Sequence, residues 1–542
     1  MINRKVKTNY IYIKIKAIAS LLTELLLTLV LIGCGVSVPK DAQQVNRKAL
    51  VIPDNDGAVL PTNIAPMNFR ILEQGDDYVV RFSTKENYEV VISNKIIDVP
   101  LSDWQQLLNS ASGDTLYTDV YVKKGDRWTQ FKQMKNPIAK DSIDQYLTYR
   151  MIQPSYVDYE GMTIRQRDVT SFNERILYDN MMLSDGDNGQ CINCHVPQNQ
   201  NKQGLSMFHV RQFLGGTILI DGQSATKVNL KTDSTFSAGV YPAWHPIADN
   251  LIAYSVNETG QVFHTRDVQK IEVIDFASDL ILYDRSANKV YDIDCRKDEF
   301  ESFPTWSPDG QWLYYVSAHY EQQTDNIDAE LDNNYQQLKY NIYRRAFNAE
   351  TMKFGERELV FNAAALGKSA STPRVSPDGK WLVFALADYG QFHIWHHSSR
   401  LYALPISTNK TEPQARLLSD YVGSYHSFSS NGRWLVFSSR QDDGNYTRLY
   451  IAYFDADGQM HKPFLLPQRS PDYYGHLFKS FNVPEFCVNP VGPSLISLTK
   501  VIKGDALQAE YGGSALAVPD NKHTSTSSQS SEDGRISSKI GY

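Results

Sequence analysis

From residue 213 to residue 502 apolar and polar positions repeat as a unit. Pro242-Ala243-Trp244-His245-Pro246 leads into the apolar run 251–254. Pro304-Thr305-Trp306-Ser307-Pro308-Asp309-Gly310 leads into 312–315, Pro373-Arg374-Val375-Ser376-Pro377-Asp378-Gly379 into 381–384, and Ser427-Phe428-Ser429-Ser430-Asn431-Gly432 into 434–437. Each copy reads as strand, tight turn, strand: Asp or Asn bonds its own backbone at the bend and Gly supplies a positive φ. One or two further strands follow each copy, and the copies lie 62, 69 and 53 residues apart. Repeats of this length built from four strands predict a mainly β chain whose larger part is a β-propeller. Segment 216–230 is expected to pair with 482–501 and close a ring of about six blades, which would remove exposed sheet edges.

Upstream the period differs. Segments 68–72, 78–83, 88–93, 115–122 and 128–131 alternate apolar with polar residues, with a short helical run at 104–108, and predict a small β-sandwich over residues 66–138. Between 139 and 180 the spacing of Ile143, Tyr146, Leu147, Arg150 and Met151 suggests a helix. Ser171-x-x-Glu174 reads as a capping box opening a second one, with Phe172, Ile176, Leu177 and Met181 toward a core. The domain plan is therefore a leader (1–33), a linker (34–65), the sandwich (66–138), a short helical segment (139–212), the propeller (213–505) and a polar, disordered tail (506–542).

The leader assigns a compartment. Arg4, Lys5, Lys7, Lys14 and Lys16 precede an apolar run ending in Leu31-Ile32-Gly33-Cys34, the form of a lipoprotein cleavage site with Cys34 as the acylated residue. A retained membrane helix is the alternative, but the run is short and carries Glu24. Loss of residues 1–33 takes the formal charge from -7 to about -11, which makes nucleic acid a poor partner.

Cys191-Ile192-Asn193-Cys194-His195 has the form of a c-type haem attachment site. Two thiols can form thioethers to one porphyrin, and the adjacent imidazole of His195 becomes the proximal iron ligand. A zinc site would need a second ligand pair, and the other cysteines, Cys295 and Cys487, are solitary. For the second axial position the candidates are Met207 and His209, 12 and 14 residues after His195, or an open iron. His245 is a further candidate, with the capping of a neighbouring turn as its plainer role. His393, His396 and His397 lack regular ligand spacing, Asp442-Asp443-Gly444-Asn445 lacks the distal glutamate of a calcium loop, and no Gly-x-Ser-x-Gly elbow occurs.

The apolar-Ser-Pro-Asp-Gly turns resemble TolB-like propeller repeats. The whole series of lipobox, sandwich, Cys-x-x-Cys-His, Met207 to Arg211, Trp244-His245-Pro246 and Ser424-Tyr425-His426-Ser427 resembles the haem-containing TolB-like lipoproteins of Bacteroidetes. The resemblance implies a periplasm-facing, membrane-anchored chain combining haem with a propeller, and leaves its activity open. The expectation is a c-type cytochrome that transfers single electrons, its propeller docking a redox or envelope protein partner. The competing expectations are an envelope scaffold binding a protein or glycan, with structural or sensory haem, and a haem peroxidase using Arg211 or His245.

Overall fold

The computed structural model describes residues 36–153, 161–184, 188–264, 269, 271–406, 414–517 and 536–541. Cys34 and the leader lie outside the described residues. Among those described, no helix is long and apolar enough to cross a membrane.

The chain is mainly β. Its N-terminal part forms a six-stranded and a three-stranded sheet, against which the helix Leu101–Ser110 buries Trp104, Leu107 and Leu108. The indole of Trp104 donates to the Ile64 carbonyl at 3.0 Å and meets Phe82 edge-on. The expected linker is largely part of this unit. Val51–Ile52 pairs with Phe69–Ile71, Gln43–Gln44 runs parallel to Arg127–Gln130, and Ala58, Leu60 and Ile64 are fully buried. Without periodic apolar residues, such a wrapping segment reads as unstructured until its partners are known.

Among the described residues six further sheets follow, each with an antiparallel core of four strands. In the first, Ser480–Cys487 is the inner strand, followed outward by Tyr146–Ile152, Thr163–Asp168 and Glu174–Asp179. The inner strands of the other five are Gln190–Pro197, Gly239–Trp244, Glu299–Trp306, Ser369–Val375 and Ser424–Phe428. Each inner strand lies against that of the next sheet, and the order returns to its start through Ser480–Cys487.

Three expectations are corrected here. Tyr146–Ile152, Thr163–Asp168 and Glu174–Asp179 are strands, where helices were expected. Tyr146–Ile152 is hydrogen-bonded on both edges and buried along its length, and a continuously buried strand loses the alternation that separates it from a helix. Ser171 sits in the hairpin turn, accepting from the Asn173 N–H, while Glu174 takes bonds from Arg165 and Tyr149. The expected closing pair is also different. Segment 216–230 stays in the second sheet, and Ser480–Cys487 instead completes the sheet of Tyr146–Ile152, so the sheet series begins well before residue 213. Part of the expected tail is ordered: Leu507–Gln508 and Glu510–Ser514 run parallel to the outer strands of the second and third sheets, and Ile536–Gly541 pairs with residues 259–264.

The repeated turn is held by its own side chains. Ser376 Oγ donates to Asp378 Oδ1 at 2.6 Å and accepts from the Trp381 N–H at 3.0 Å, and Ser429, Asn431 and Trp434 reproduce both bonds. His245 replaces that serine: its Nδ1 accepts from the Ile247 and Ala248 N–H groups at 3.2 and 2.8 Å, and its Nε2 donates to the Gly310 carbonyl at 3.1 Å. Gly310, at φ +69°, leaves no room there for a Cβ, which would stand 2.4 Å from the imidazole. His245 is thus fully engaged as a turn cap.

Candidate functional site

Every inner strand carries a register shift, the two-against-one pairing of a bulge. In five of them a non-glycine residue takes a positive φ between 41° and 51°: Tyr241, Phe303, Thr372, Tyr425 and Val483. In the second sheet the shift lies between Ile192 and Cys194. The Cys-x-x-Cys-His run therefore falls on the bulge of an inner strand, and the expectation that it lies in a short helical segment is corrected.

These residues surround a tight axial cavity of about 50 Å³. Its wall is apolar and aromatic through Tyr241, Phe303, Phe392, Tyr425 and Val483, and its polar members are Arg150, Cys194, His195, Thr372, Arg374 and His426. Arg374 donates to Glu485 at 2.7 Å, and burial raises that carboxyl while Arg374 opposes the shift. Phe392, edge-on to Tyr425, comes from a loop fixed by His396 at 3.3 Å from Glu272 and by the Tyr389 hydroxyl donating to the same carboxylate. That accounts for much of the histidine cluster: His393 bonds the Gly390 carbonyl at 2.9 Å, and His396 pairs with Glu272. Among the described residues no three His, Cys, Asp or Glu side chains are gathered as a metal site.

His195 is 1% exposed, and neither ring nitrogen makes a well-formed hydrogen bond, the nearest polar groups being the Thr148 and Val483 backbone. Burial, aided by the Arg150 charge, lowers its pKa to about 3, so the imidazole is neutral, as an iron ligand must be. The Cys194 thiol is pushed up by burial. The register shift puts Cys191 and Cys194, partners of Arg211 and His209 across the ladder, on one face of the strand. Cys194 and His195, as neighbours, turn to opposite sides of it, yet both open onto the cavity; Cys191 is half-buried outside it. Cys194 and a buried, neutral imidazole on one largely apolar cavity, with Cys191 on the same strand face as Cys194, are side chains of the kind that a covalently held haem uses.

The other proposed axial residues are elsewhere. Met207 is fully buried in an apolar cluster with Val196, Leu219 and Trp244. His209 Nδ1 is 3.2 Å from Thr217 Oγ1 and lines a separate surface pocket. Neither they nor His245 line the axial cavity. The residues that do were signalled by a prolyl step shared by four inner strands, Pro242, Pro304, Pro373 and Pro484, each directly after the left-handed residue.

Two buried histidines outside the cavity, His209 and His393, have pKa values near 3, with burial the leading cause. A value depressed in the folded state means stability fully present above about pH 6.5 and lost as pH falls toward 3, by about 1.4 kcal/mol per pH unit for each group. The urea midpoint is expected to fall steadily from pH 7 to pH 4, and His209→Gln with His393→Gln, both outside the cavity, to flatten that slope.

No family model matches the chain, and no curated protein matches it. Among solved structures it is similar to TolB from Acinetobacter baumannii at 13% identity and a TM-score of 0.40, covering 73% of this chain and 86% of that one. A putative TolB from Agrobacterium tumefaciens has 13% identity and a TM-score of 0.35, over 65% and 100% of the two chains. Kuenenia stuttgartiensis hydrazine synthase has 11% identity and a TM-score of 0.41, over 65% and 48%.

Proposed function

We propose that this chain is a lipid-anchored c-type cytochrome of the cell envelope, built on a six-bladed propeller whose axial cavity holds the haem. Cys191 and Cys194 would hold the porphyrin and His195 would ligate its iron, with Cys34 as the acylated anchor. The carrying observation is His195, a buried, neutral imidazole that opens onto the cavity with neither nitrogen in a well-formed hydrogen bond. Leaving such a group unsatisfied costs about 1–3 kcal/mol, which a ligand would offset. The haem supplies a one-electron couple. Phe303, Phe392 and Tyr425 would exclude water from a bound haem, and Arg150 and Arg374 would offer positive charge to its carboxylates. The propeller's outer surface is then free to dock a redox or envelope protein partner.

The test is the mass of the protein purified from its own cell envelope. It should exceed polypeptide plus acyl groups by one haem, absent in the Cys191→Ser/Cys194→Ser variant, and a redox titration should show one reversible haem transition. A mass accounted for by amino acids and acyl groups alone would overturn the proposal.

A further inference from the structure

The six inner strands share one plan, so their departures from it are informative. After the extra residue at the bulge, four strands have proline, which has no N–H and no ligating side chain. The other two have Cys194 and His426. His426 is 2% exposed and lines the same cavity as His195. Its Nε2 lies 3.0 Å from the Val383 carbonyl. A carbonyl only accepts, so Nε2 carries the proton and Nδ1 keeps its lone pair. That Nδ1 is buried and has no hydrogen-bond partner. The second-position residues expected from sequence are occupied otherwise: Met207 in an apolar cluster, His209 at Thr217, His245 as a turn cap.

We propose that His426 is the second axial ligand, so that the iron is held between the imidazoles of His195 and His426, ligated by the latter through Nδ1. The proposal rests on the haem reading above. The Val383 carbonyl acts as a positioning group, fixing the tautomer and the ring plane, as second-shell partners of ligating histidines do. Two imidazoles favour a low potential and a closed coordination shell, which suits electron transfer and opposes peroxidase chemistry.

The experiment uses the full chain, matured in its native compartment. The ferric wild type should be low-spin and slow to bind cyanide. His426→Gly should keep its covalent haem by mass, turn high-spin, bind cyanide rapidly and return to low-spin when imidazole is added. His426→Met, which keeps a ligating side chain should the glycine variant fail to fold, should shift the midpoint potential upward. A low-spin spectrum unchanged in His426→Gly, an unchanged potential in His426→Met, or a high-spin wild type would overturn the assignment of His426 while leaving the haem reading intact. A wild type without covalent haem would overturn that reading itself, and the mass alone separates the two failures.

Discussion

Replacing Arg345 by methionine is expected to lower stability by about 3–5 kcal/mol, because it strands a buried charge. Asp294 is fully buried and takes both Nε and a terminal nitrogen of Arg345 at 2.9 Å, together with the Tyr315 hydroxyl at 2.6 Å. Its surroundings are acidic. Glu301, also fully buried, has neither carboxyl oxygen hydrogen-bonded, and burial, then Asp294 and Asp279, raises its pKa well above the usual carboxylate range. Burial beside these acids pushes Glu301 toward its protonated form, and Arg345 is the buried cationic partner of Asp294, with Arg296 Nε 3.3 Å from the other carboxyl oxygen. Urea unfolding should show the loss as a lower midpoint at unchanged slope. Arg345→Met combined with Asp294→Leu should recover most of it, since two apolar side chains leave no charge behind. Equal losses in the single and double variants would refute the account.

Trp434→Ala is expected to cost a similar amount, about 3–5 kcal/mol, and to loosen the N-terminal unit from the sheets. Trp434 is fully buried, stands edge-on to Tyr453, and donates to the Asp141 carbonyl at 3.2 Å. It packs in one apolar cluster with Val436, Leu449 and Phe481 of the sheets and with Trp104, Leu107 and Phe82 of the N-terminal unit. Next to it the Ser430 N–H and hydroxyl both donate to Asp144 at 2.6 Å, and Asn431 donates to the Ser142 carbonyl at 2.7 Å. Limited proteolysis should release the N-terminal unit from the variant faster than from the wild type. A variant as resistant as the wild type would show that this contact does not hold the two parts together.

That contact explains a departure visible in the sequence. Three copies of the repeated turn have proline where the fourth has Ser430, and the other two complete copies have aspartate where it has Asn431. Proline has no N–H for Asp144, and an aspartate could not donate to Ser142. The deviation from the repeat is the docking site.

Much of the strand layout was legible. The turns at Ser307-Pro308-Asp309-Gly310 and Ser376-Pro377-Asp378-Gly379 are local structures, closed by bonds within five residues, so sequence alone specifies them. The Cys-x-x-Cys-His spacing was equally plain. The segment 146–152 was misread because its burial on both faces erases the two-residue period. The pairing that completes its sheet joins residues more than three hundred positions apart, and no local pattern encodes such a partner.

Sequence by itself therefore determined the repeated hairpins, the chemistry available at Cys191, Cys194 and His195, and the role of His245 as either ligand or cap. Only the tertiary structure decided that His245 is a cap and that Met207 and His209 stand apart from the axis, because inward direction depends on where each bulge shifts the register. It also brought His426, 231 residues from His195 in the chain, to the same cavity. A ring of sheets converts equivalent positions in distant repeats into neighbours, and that convergence comes from packing rather than from any property of the residues between them.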